Sequence, residues 1–83
     1  MKSLSELAAS YDEWAHQHEV TAEAILTLLD PFDIEIRAHQ RWWASWLTTE
    51  AAALRDKAEE LRSVEAAILV EQREDTAEET SIE

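Results

Sequence analysis

Cysteine is absent from this chain, so neither a disulfide staple nor a thiolate metal site is available to it. Glycine is absent too, and Pro31 is the single proline, which leaves no Gly-rich loop to cradle a phosphate and few turns of any kind. No apolar run approaches the ~18 residues of a membrane span, and the opening Met1-Lys2-Ser3-Leu4-Ser5-Glu6 has no signal-peptide core. Bases are scarce: 7 Lys and Arg stand against 19 Asp and Glu, for a net charge of −12. Nucleic acid and anionic membranes repel such a polyanion, so neither is an expected partner, and a protein with a basic surface is. A cytoplasmic setting is the expectation.

Alanine, leucine and glutamate fill the space that turn formers leave, and all three favour helix. Eighty-three residues make one domain at most, near the lower limit for a self-sufficient core. Ser3 and Glu6 have the spacing of a capping box. Leu4, Leu7, Tyr11, Trp14, His18, Thr21, Ile25 and Leu28 then recur by threes and fours, with Ala8, Ala15, Ala22 and Leu29 widening the stripe. This predicts an amphipathic helix over 3–29. Asp30-Pro31-Phe32-Asp33 breaks it, because the residue before a proline avoids the α region. Asp30 then suits an N-cap and Pro31 the first position of a second helix.

That second helix meets no further breaker and is expected over 31–73; a restart at Thr48 is the alternative. Leu47, Leu54, Leu61 and Ile68 stand seven apart, with Ala44, Ala51 and Ala58 three residues before the first three. This is a heptad with small residues at a and large aliphatics at d. Beyond it the pattern gives way to an acidic tail over 74–83, expected to be disordered. The fold class is therefore all-α: residues 1–73 form an antiparallel helical hairpin with a turn at 30 and a long second helix. Folding back at Asp30 pairs positions whose numbers sum to about sixty, which sets Leu4 near Asp56 and leaves the far end of the second helix uncovered. Leaving its large aliphatics in water would forgo on the order of 10 kcal/mol. A homodimer, closing into a helical bundle or coiled coil, is the expected remedy. Its interface is placed at Leu47, Leu54, Ala58, Leu61, Val64, Ile68 and Leu69.

Three of the four tryptophans cluster at Trp42, Trp43 and Trp46. Trp43 is expected in the core, whereas Trp42 and Trp46, flanked by Arg37 and Arg41, form a candidate grip for another protein, since Trp and Arg are enriched in interface hot spots. The first helix carries Glu6, Asp12, Glu13, Glu19 and Glu23 and no base, so Glu13, Glu19 and Glu23 join the candidate partner-binding residues as an acidic face. Asp12, His16, Glu19 and Glu23 have metal-ligand spacing, and Glu13 with His16 matches a Glu-x-x-His pair. They lie on the polar side, so a solvated face is preferred and no metal or cofactor is assigned. His18 falls on the apolar seam. No nucleophilic triad and no oxyanion loop are recognisable, so an enzyme is not expected. The sequence reads best as a homodimeric adaptor or inhibitor that occludes a basic surface on a host protein, of the kind phages and mobile elements direct at nucleic-acid-handling or defence machinery. A self-assembling scaffold coiled coil is the alternative, and a metal-binding helical bundle the second.

Overall fold

The computed structural model describes the backbone of residues 3–82 and the side chains of residues 3–73. Two helices, α1 (Leu4–Thr27) and α2 (Ile34–Ile82), pack against each other as a hairpin, with no strand among the described residues. The molecule is a rod, 78 Å long and 17 Å across.

Ser3 caps α1 as its spacing predicts: the Ser3 hydroxyl accepts from the Glu6 backbone N–H at 3.2 Å. The helix ends at Leu28, whose N–H bonds back to the carbonyls of Ala24 and Ile25. Asp30 does not cap α2. Its carboxylate accepts from the N–H groups of Phe32 and Asp33, at 2.8 and 2.9 Å, and so holds the intervening turn. Asp33 repeats the device one turn later, accepting from Glu35 and Ile36 at 3.0 and 3.1 Å. The second helix therefore begins at Ile34 rather than Pro31. Both aspartates are good caps, and the one nearer the regular backbone takes the role. Gln40 closes the end: its amide accepts from the Asp30 N–H and donates to the Leu28 carbonyl, at 2.9 and 3.2 Å.

No break occurs at Thr48. Its hydroxyl donates to the Ala44 carbonyl within an unbroken helix. Nor does α2 end at Arg73, since it runs to Ile82. The last stretch contains neither glycine nor proline, so no residue in it breaks the helix. The side chains of the acidic tail, 74–83, lie outside the described residues.

The seam between the helices is built from alanine. Ala8, Ala15 and Ala22 on α1 and Ala44, Ala51 and Ala58 on α2 are buried, each set seven apart. Ala22 packs with Ala44 and Leu47, and Ile25 lies against them. Tyr11, His18, Leu54 and Leu61 are half-buried along the edges. Alanine at most of these contacts permits a close approach of the two backbones.

The six-residue connection shifts the register from the expected one. Ser5 lies across from Glu65, to which its hydroxyl donates at 2.6 Å, so the pairing sum is near seventy rather than sixty. Leu61 is thereby brought inside the hairpin. The overhang of α2 starts after Glu65, not after Asp56, and the residues from 66 to the end of the helix reach about 25 Å past α1 at ~1.5 Å per residue.

Candidate interaction surface

What the hairpin leaves outside is larger than what it buries. Among the described residues the buried apolar set is six alanines and Leu47, and no large side chain is fully enclosed. Among the described residues fourteen large apolar side chains are exposed, including all four tryptophans. A buried methyl contributes roughly 0.8 kcal/mol and a buried Leu or Phe roughly 1.5–3 kcal/mol, so the chain alone leaves its strongest apolar groups in water.

They are not spread evenly. On one flank, Asp12 and Glu19 of α1 pair with Arg62 and Arg55 of α2. Each of these four follows a seam residue (Tyr11, His18, Leu61, Leu54) by one position, which places all four on the same side of the hairpin. The hydrogen bond from Arg55 to Glu19 holds the guanidinium above its ordinary pKa. The opposite flank is lined by the residues that precede the seam positions: Leu7, Trp14, Thr21 and Leu28 on α1, and Ile36, Trp43, Glu50, Lys57 and Val64 on α2, so it is apolar towards the closed end and charged midway along. It meets the closed end of the rod, where Phe32 is 93% exposed, Leu28 74% and Ile34 72%. A shallow groove along α1, lined by Val20, Glu23, Ala24, Thr27 and Leu28, runs beside this patch.

Trp43 is not core. It is 47% exposed, like Trp46, because the alanine seam is too tight to admit an indole. Trp42 is the most exposed of the cluster, and its ring stacks on His39 with centroids 5.9 Å apart. Trp14 lies against Tyr11 at 6.4 Å on the other helix.

No known family, curated protein or solved structure matches the chain.

The expected site residues divide accordingly. Arg41, Trp42 and Trp46 are exposed together on α2, whereas Arg37 is half-buried in the first turn of that helix. Glu13 and Glu23 face solvent, but Glu19 is held by Arg55. Of the residues assigned to an interface between copies, Leu47 and Ala58 are buried against α1 and Leu54 and Leu61 are partly covered by it. The assigned seam is the hairpin's own. Val64, Ile68 and Leu69 remain exposed. The Asp12/His16/Glu19/Glu23 stripe is divided in the same way, because Asp12 and Glu19 turn to their arginines. Among the described residues no three His, Asp or Glu side chains stand where they could hold a metal ion. No described helix is long and apolar enough to cross a membrane.

The sequence reading missed Leu28, Phe32, Ile34, Ile36 and Trp43 as surface residues. The signal that could have found them is the match between Ala8/Ala15/Ala22 and Ala44/Ala51/Ala58, two seven-residue alanine columns that suit each other.

Proposed function

We infer that this chain is a non-enzymatic protein–protein interaction module, an adaptor or occluding inhibitor that works as a self-associated pair. One observation carries the reading: the hairpin hides alanines and displays tryptophans, the reverse of the order in which a solitary domain gains most from burial. Exposed apolar patches of this extent mark interaction surfaces. The net charge of −12 selects the target, favouring a protein surface with a basic rim and steering the approach to it. Two faces divide the work. The flank with Ile36 and Trp43 serves self-association. Trp42 and Arg41, with the acidic side of α1 at Glu13 and Glu23, meet the partner.

The test is capture from the native host with paired baits. The wild-type chain retains a partner with a basic surface, and raised salt weakens the complex. Trp42→Ala or Arg41→Glu loses that partner while the pair persists in light scattering. A catch indifferent to both substitutions and to salt contradicts the reading.

A further inference from the structure

We propose that the occupant of the exposed flank is a second copy of this chain, docked antiparallel so that the two closed ends overlap and the two α2 overhangs point away from each other. The inference rests on the self-association just described and specifies its geometry.

Three observations support a second copy, and the last two place it at the closed end. The first is area. The chain exposes 6712 Å². A compact monomer of 9.5 kDa would expose about 5,000 Å². The surplus, about 1,700 Å², is roughly twice the ~800 Å² that each partner contributes to a standard interface. The second is the position of the apolar groups. Leu28, Phe32, Ile34, Ile36, Trp43 and Trp46 all lie between the tip and the level of Trp46, a span of about 20 Å at ~1.5 Å per residue. The third is charge. Residues 20–46 hold four acids (Glu23, Asp30, Asp33, Glu35) and two bases (Arg37, Arg41), so they carry −2 of the chain's −12. Two copies meeting there avoid most of their mutual repulsion.

The open end, where unequal helix lengths would otherwise invite pairing, is a poor meeting place. Continuing the heptad past Leu61 gives Glu65, Ile68, Gln72, Asp75 and Glu79 in sequence, so the seam turns polar where α1 stops. Val64, Ile68, Leu69 and Val70 are exposed there, but Glu60, Glu65, Glu71 and Glu74 neighbour them along the helix. Copies laid side by side along that end would bring the larger share of both net charges together.

A two-fold contact is self-complementary, so the residue on its axis meets its own copy. With each tip reaching the other's Trp46, the axis passes near the level of His39, which is exposed on the same face. The pair would be about 135 Å long, two rods sharing about 20 Å, and would present two identical α2 ends far apart as a bivalent spacer.

The absence of native cysteine makes single-cysteine reporters clean. Under mild oxidation the full chain bearing His39→Cys forms a disulfide-linked pair, and Ile68→Cys does not. Small-angle scattering on the wild type gives a maximum dimension well beyond the 78 Å rod. A pair that cross-links through Ile68→Cys, or that is no longer than one rod, overturns the closed-end geometry while leaving self-association standing. A monomer at every concentration removes both.

Discussion

Replacing Ala51 with leucine separates an alanine-seamed hairpin from an ordinary leucine heptad, because the two predict opposite signs. Ala51 is 2% exposed in the middle of the seam, between Ala44 and Ala58 on its own helix and opposite the Ala8/Ala15/Ala22 column. If the helices had room, three added carbons would stabilise the chain by about 2 kcal/mol, at ~0.8 kcal/mol each. At methyl-to-backbone contact there is no room. The helices must splay or the side chain must leave its rotamer well, at a cost of about 1–3 kcal/mol. Urea unfolding followed by far-UV circular dichroism, at one fixed protomer concentration, reads the difference. The midpoint should fall, and Tm with it, by about 4–8 °C per kcal/mol for a chain of this size. Ala52→Leu, one residue on and exposed, is the control and should change stability by less than about 0.5 kcal/mol. A stabilised or unchanged Ala51→Leu protein would refute the close approach, and with it the reason Trp43 lies outside.

Three further perturbations test particular contacts. Gln40→Leu removes the amide that satisfies Asp30 and Leu28 at the closed end, and should cost about 1 kcal/mol in the same assay although leucine is the more apolar residue. Backbone donors from Asp33 and Phe32 hold Asp30 below its ordinary pKa of 3.8, so its contribution is complete above that value and fades as pH falls through the lowered one. Asp30→Asn should accordingly lower stability at neutral pH, where the carboxylate's contribution is complete, and flatten the acid limb so that the two proteins converge in acid. The Asp12–Arg62 pair is surface-exposed, so a double-mutant cycle should return about 0.2–1 kcal/mol and shrink in high salt.

Much of the secondary structure could be read from local chemistry. The Ser3 cap, the break at Asp30-Pro31 and the continuity of the second helix each depend on a few neighbouring residues. Where the second helix starts was harder, since Asp30 and Asp33 are equally good caps and only the bonds made by Gln40 and the turn distinguish them. The pairing sum moved further than those three residues, from about sixty to near seventy, which brought Leu61 from the overhang into the hairpin. The exposed apolar surface was legible in part. Trp42 and Trp46 stood out by type, and both are exposed. Trp43 did not, because hydrophobicity alone ranks tryptophan above alanine for burial, whereas a two-helix seam is governed by shape. Methyl groups seven apart on both helices fit each other, and the indoles are left on the outside.

Sedimentation of the wild-type chain beside Trp43→Glu, across the micromolar to millimolar range, bears most directly on the claim that the displayed apolar flank exists to be covered. The account predicts that the wild type has twice the 9.5 kDa mass of one chain and that the variant, equally helical, stays at one. A wild-type protein that remains a well-folded single chain throughout, with Trp43 still open to quencher, would contradict it.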